Sequence, residues 1–310
     1  MRSGAIVLSI ASDEDRMGEF IQQVATGLST GSVYAVLALA IVLIYQSTRI
    51  VNFAQGEMAM FSTFIAWSWL SRVDFWPAFF LTLVASAALG AALERFVLRP
   101  VESAPTLNSV IVTLGLFLIF NSLALWRWGG VPKPFPSPEI FSGAPLTVGT
   151  ITISRLNIGI FGMSLLIMAL LFAFLNRTKT GLAIRAAAEN PAAARMVGIR
   201  VGSMLSVGWA LSASVGAVAG ILLAPILALQ PSMMFGVIIF AYAAAVLGGL
   251  NSLPGAIVGG LTLGVAQNLA GTYISPHTGS IDITVAFLVI VLVLVVRPTG
   301  LLGREVKRRV

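Results

Sequence analysis

Cysteine is absent from the 310 residues, histidine occurs once, at His277, and only 10% of the chain is charged. Without thiols there is neither a disulfide framework nor a thiolate metal centre. One histidine and three lysines leave little for the acid–base or nucleophilic chemistry of a soluble active site. No G-x-x-x-x-G-K-[S/T] stretch occurs, so the chain carries no P-loop of its own. Soluble domains carry roughly 25% charged residues. With 57% hydrophobic residues and a mean hydropathy of +0.95, this chain reads instead as an integral membrane protein. Its net charge of +7 is dispersed over loops, which suits topology signals better than a nucleic-acid surface.

A span needs about 20 mainly apolar residues. Nine candidates lie at 21–45, 53–71, 75–93, 107–126, 156–175, 203–227, 233–250, 255–274 and 281–296. The second and seventh are the weakest and read as short, broken or re-entrant. The expected fold is therefore all-α, a polytopic helical membrane protein with eight or nine transmembrane helices. Lys and Arg set the orientation. With Arg304, Lys307, Arg308 and Arg309 in the cytoplasm, nine spans put the N-terminus outside; 13 of the 19 basic residues then fall inside and 6 outside. Residues 1–19 read as an N-terminal tail, 20–298 as the membrane domain and 299–310 as a basic cytoplasmic tail. The apolar run Ala5–Ile10 is short for a signal peptide, and Met17, just ahead of the first span, is an alternative start. The external loop 127–155 holds four prolines between Pro132 and Pro138, which exclude a helix. Leu146–Ile153 then alternates like a small hairpin. This loop reads as a rigid linker or as a lip that touches an external partner.

The longest polar interruption is 176–200. It carries Arg177, Lys179, Arg185, Arg195 and Arg200 against a single Glu189. Asn190 is suited to cap a helix and Pro191 to occupy its first position. Gly198 falls where a left-handed C-terminal residue is expected. The loop thus reads as two short Ala-rich helices on the cytoplasmic side.

Polar residues within the spans are few. Gly27 and Gly31 share a helix face and favour close helix approach, with Ser32 and Tyr34 beside them. Asn52, Gln55 and Glu57 cluster at the start of the second span. An ionisable group at membrane depth is usually paired or lines a wet path, although Glu57 would also suit a solvated position near the interface, and Asn52 a helix cap. Thr113, Asn121, Ser212, Ser214, Gln230, Gln267, Asn268 and Asp282 each suit a helix–helix hydrogen bond better than a substrate ligand. Ser32, Tyr34, Asn52, Gln55, Glu57, Thr113, Asn121 and Gln267 are the pathway candidates. His277 reads as a solvated loop residue. Between Gly248 and Gly260 a tight joint is expected, with Ser252 as cap, Pro254 in the first turn, and Gly255/Gly259 and Gly260/Gly264 as small-residue faces.

Four segments in order resemble the branched-chain amino-acid permease family of ABC importers, which also includes urea and short-chain amide permeases. They are Gly27–Tyr34 with the Ala-Leu-Ala run after it, Asn52–Met58, the loop from Thr180-Gly181 to Gly198-Ile199, and Ala245–Gly260. The family often has His where this chain has Gln55, which keeps a hydrogen-bonding side chain without a titratable ring. The resemblance implies a permease that does no bond chemistry and pairs with a second, related permease subunit. It also implies two cytoplasmic ATPase subunits holding ATP and magnesium, an external solute-binding protein, and a bacterial inner-membrane location, with no cofactor or metal in this chain. The 176–200 loop would be the coupling element. Its small residues Gly181, Ala186, Ala187, Ala193 and Ala194 would dock closely, Arg185 and Glu189 would orient it, and Asn190 and Gly198 would shape it. The competing class is an ion-coupled secondary transporter, which wants paired carboxylates or a charged midplane site; Glu57 and Asp282 are poor material for one. A channel filter of repeated carbonyls or charges is not recognisable. Low charge along the spans suits a zwitterionic aliphatic amino acid, and equally urea or a small amide.

Overall fold

The computed structural model describes residues 13–101, 104–148, 151–274, 282–297 and 299–303. The described chain is helical apart from one hairpin. In order it forms α1 (Asp13–Thr48), α2 (Gln55–Trp69), α3 (Phe75–Leu93), α4 (Thr106–Trp128), β1 (Leu146–Val148), β2 (Ile151–Ile153), α5 (Arg155–Arg177), α6 (Lys179–Glu189), α7 (Pro191–Met196), α8 (Val201–Leu227), α9 (Phe235–Gly248), α10 (Leu253–Tyr273) and α11 (Asp282–Val296). A π-helical turn over Glu94–Leu98 and a 3₁₀ turn over Arg99–Val101 extend α3. The first helix begins ahead of residue 20, so 13–19 are helical. The readings of residues 1–12, His277 and the basic residues of 304–310 fall outside the described residues.

Among the described residues, six helices are long and apolar enough to cross a membrane: Met17–Thr48 of α1, α3 with its extension, Leu107–Trp128, α5, α8 and α10. Helices α2, α9 and α11 have 15, 14 and 15 residues, short of the length that spans a bilayer unaided. The nine apolar segments thus form six long helices and three short ones. Helix ends follow local chemistry. Ser154, Thr178, Asn190 and Ser252 accept backbone N–H bonds at the starts of α5, α6, α7 and α10, satisfying donors that a helix leaves orphaned. Pro225 stands two residues before the last residue of α8, and Ala228 leaves the helix at φ 58°. The expected hairpin forms as antiparallel pairing of Leu146 with Ile153 and Val148 with Ile151.

Helix α1 is the pillar. Every residue from Val33 to Ile44 is buried, because α5, α8, α9 and α10 surround it. Its tightest seam is with α10. A Cβ on Gly264 would sit 2.2 Å from the Gly31 Cα, and one on Gly27 2.7 Å from the Val265 Cα. Glycine on both helices lets the backbones touch, the small-residue packing that favours association in lipid. Helix α3 meets α8 similarly: a Cβ on Gly90 would lie 2.4 Å from the Trp209 carbonyl oxygen. By contrast α4 leaves Leu107, Leu118 and Trp126 exposed, an apolar surface suited to lipid or a partner.

Candidate functional site

A break at 49–54 separates α1 from α2, with Arg49 at φ 58°. Two polar clusters form around the start of α2. In the first, the Asn52 Oδ1 accepts from the Ala54 N–H at 3.1 Å, and its Nδ2 donates to Gln55 Oε1 at 3.1 Å. Asn52 therefore shapes the turn into α2, whose N-cap Ala54 makes no side-chain bond. Gln55 Nε2 donates to the Ser212 carbonyl at 3.2 Å, and Ser212 Oγ lies 2.8 Å from the Ala40 carbonyl oxygen. The Tyr242 hydroxyl donates to the Asn52 carbonyl at 2.7 Å. One knot, buried at Asn52, Gln55 and Ser212 and half-buried at Tyr242, thus ties α1, α2, α8 and α9 together. Gly216 makes room for it, since a Cβ there would lie 2.5 Å from Gln55 Nε2.

Glu57 forms the second cluster. Its Oε2 accepts from Asn121 Nδ2 at 3.3 Å, and the same amide donates to the Pro231 carbonyl at 3.1 Å. The solvation considered for Glu57 is incorrect: the residue is 2% exposed. Helix α4 and the corner between α8 and α9 close over it, and an amide takes the place of water.

Tyr34 and Gln267 are brought together across the α1–α10 seam. The Tyr34 hydroxyl donates to Gln267 Oε1 at 2.7 Å, and its ring stacks on Phe240 with centroids 5.0 Å apart. Ser32 and Thr113 are buried and bond within their own helices, to the Ser29 and Val110 carbonyls. Among the eight pathway candidates, Asn121 and Gln267 retain partial exposure.

The 176–200 segment is an ordered element. The Thr178 hydroxyl donates to the Phe174 carbonyl at 2.7 Å and accepts from the Gly181 N–H at 3.0 Å. Gly181 then folds α6 back onto α5, where a Cβ would meet the Phe174 oxygen at 2.4 Å. Asn190 accepts from the Ala193 N–H at 3.0 Å, Pro191 opens α7, and Gly198 takes φ +83°. Ala187, Ala194, Val201 and Leu205 form a small core under the two helices. Gly181, Ala187 and Ala194 are therefore turned into the chain, and Arg at 194 would break that core. Arg185, Glu189, Asn190 and Ala193 are exposed, Ala186 is half-buried, and the exposed large apolar side chains are Leu182, Met196 and Val197. Replacing Asn190 by Ala should cost about 1 kcal/mol of helix stability. The expected readout is faster hydrogen exchange confined to α7; unchanged exchange there would show that the cap does not hold the helix.

Sequence reasoning missed Glu94. Its carboxylate is held by Arg99, a residue counted only as a topology charge, and by Ser206. An acid within an apolar helix is itself a signal, but nothing local pointed to a partner on α8. It also missed the pairing of Lys133 with Leu229, where each N–H donates to the other's carbonyl at 2.9 Å. Lys133 Nζ lies 5.0 Å from the Trp67 ring.

Known proteins are similar to this chain in sequence along nearly its whole length. BraD, a high-affinity branched-chain amino acid transport system permease protein of Pseudomonas aeruginosa, is 31% identical over 92% of this chain and 96% of its own. LivH, a permease protein of the same description from Escherichia coli K12, is 30% identical with the same coverage. Among solved structures, PsaBC from Streptococcus pneumoniae in complex with Fab contains a chain that superposes with a TM-score of 0.48 and 16% identity, covering 91% of this chain and 97% of that one. The family described as the permease component of the branched-chain amino acid transport system matches residues 23–296. The chain is thus a multi-pass membrane protein that belongs to the branched-chain amino acid ABC permease family.

Proposed function

We propose that this chain is one membrane-spanning subunit of a bacterial inner-membrane ABC importer for branched-chain, aliphatic amino acids, driven by separate ATPase subunits. The observation that carries the reading is the two-helix element α6–α7. It is capped at both helix starts, has its own core, and displays Leu182, Met196 and Val197 outward. A protein whose sequence has no P-loop needs a place to receive work from one that has. Such an apolar patch beside Arg185, Glu189 and Arg195 suits a protein groove better than open water.

The same end of the bundle supports the proposed orientation. Arg49 Nη1 donates to Asn251 Oδ1 at 2.8 Å, the Ser47 hydroxyl borders Gly208, and the Arg99 guanidinium borders Gly202. The end of α1, the start of α8, the α9–α10 corner and α6–α7 therefore lie together. Arg49, Arg99, Arg185 and Arg195 gather there, which supports a cytoplasmic face. A second permease subunit would complete the path, an external binding protein would deliver substrate, and ATP with magnesium would reside on the ATPases. Asn121 and Gln267 are the polar side chains best exposed for contact along that path, with Glu57 and Tyr34 positioned behind them.

The test is reconstitution with the cognate ATPases, second permease and binding protein in proteoliposomes. ATP-dependent leucine uptake that survives dissipation of the proton gradient is the expected result. Uptake that collapses with the gradient would overturn the ABC reading; uptake of urea or a small amide with none of leucine would overturn the substrate.

A further inference from the structure

The start of α8 has two occupied faces. Val201 and Leu205 pack on Ala187 and Ala194 of the two-helix element. An adjacent face, about 100° around the helix, presents Gly202 and Ser206 to the end of α3. There Arg99 Nε donates to Glu94 Oε1 at 3.0 Å and Nη2 to Oε2 at 2.7 Å. The same Nη2 lies 2.7 Å from the Gly202 carbonyl oxygen and 2.8 Å from Ser206 Oγ. Ser206 also donates to the Glu94 carboxylate. The Glu94 side chain is 3% exposed, while that of Arg99 is 36% exposed.

The π-helical turn makes this pair possible. In an α-helix, residues five apart point about 140° away from each other. In a π-turn the hydrogen bond runs from residue i to i+5, here from the Arg99 N–H to the Glu94 carbonyl, which stacks the two residues. The turn thus places a planar, five-donor guanidinium where it grips a carboxylate on its own helix and two acceptors on α8 at once. Farther along, Gly90 lies against the Trp209 backbone, and Ser214 Oγ donates to the Leu83 carbonyl at 3.0 Å. Helices α3 and α8 are joined along most of their length.

We infer that Glu94, Arg99 and Ser206 form a clamp that makes α3 move as one body with the coupling element, so that Arg99 is a positioning residue for energy transfer. The inference rests on the proposed docking of α6–α7 to an ATPase. Displacement of the element reaches α8 through Val201 and Leu205, and the clamp passes it sideways to α3. Without the clamp, the start of α8 turns against the end of α3, and ATP is hydrolysed with less substrate moved.

The chain has no cysteine, so two spin labels can be placed without background. Phe80 on α3 and Ser203 on α8 are both exposed; each is changed to Cys. In the full reconstituted transporter, the label distance should stay constant between the nucleotide-free and ATP-trapped states. A nucleotide-dependent change in that distance would overturn the proposal, whatever any clamp variant does. In Arg99→Lys, which keeps the charge but not the fork, molecules transported per ATP should fall about fivefold or more while ATPase activity persists. Ser206→Ala should give a smaller fall in the same ratio. Uptake and ATPase activity falling in step, at constant ratio, would show a merely structural pair and overturn the clamp. The docking reading fails separately, and earlier, if the unmodified permease does not stimulate its ATPases.

Discussion

Gly264→Leu should yield no monodisperse permease in detergent, whereas Gly115→Leu should purify like the parent protein. At Gly264 even the first added carbon would lie 2.2 Å from the Gly31 Cα, 2.4 Å from its nitrogen and 2.6 Å from the Gly27 carbonyl oxygen. These are backbone atoms of α1 and cannot rotate away as a side chain can. Helices α1 and α10 would have to separate, breaking the Tyr34–Gln267 bond and the bonds from Asn268 to Gln23. Overpacking alone costs about 3 kcal/mol or more at so rigid a site. Gly115 has no atom within 4 Å of the position its Cβ would take, so the same side chain is accommodated there. Comparing the two by size-exclusion chromatography separates packing from hydrophobicity. Equal behaviour would show that the α1–α10 seam is not the tight joint described above.

The double change Met196→Asp, Val197→Asp should reduce ATP-driven uptake about 100-fold or more while leaving insertion and the unfolding midpoint intact. The two side chains are 88% and 77% exposed, and exposed substitutions typically change stability by within about 0.5 kcal/mol. If they anchor a groove on an ATPase, each loses a contact of about 2 kcal/mol or more, and every 1.4 kcal/mol is about a factor of ten. Carboxylates also place charge where the partner must exclude water. Met196→Leu keeps the apolar volume and should retain uptake. Full uptake by the double variant would place docking elsewhere on the element, with Leu182 the next position to probe.

What could be read from the sequence was mainly local chemistry. Asn190, Pro191 and Gly198 announced two helices because capping and left-handed turns act within a few residues. Gly27 and Gly31 announced a close helix contact because small residues one turn apart have few other uses in an apolar helix. The alternation of Leu146–Ile153 announced its hairpin in the same way. Small residues on α6 and α7 were harder to read. Ala and Gly suit docking to a partner and packing within the chain equally, and the structure turns Gly181, Ala187 and Ala194 inward. Glu57 was open to misreading because its cover comes from Asn121 and Pro231, far along the chain. The Glu94 clamp required both a π-turn, which has no sequence period of its own, and a partner on α8. Lengths of α2 and α9 were legible as weak spans, but where each ends depends on the corners that neighbouring helices build.

The central position of α1 opposes the order of synthesis to the order of enclosure. It is the first helix in the described chain, yet α8, α9 and α10, which supply most of its surroundings, begin at Val201 and beyond. Until those helices arrive, the bilayer itself must surround Val33–Ile44. That requirement accounts for an apolar run that would be equally at home in lipid, punctuated only by the Tyr34 hydroxyl, which waits for Gln267. Assembly of this permease is then an exchange, in which protein replaces lipid around a helix that is inserted before α8, α9 and α10 and enclosed only after them.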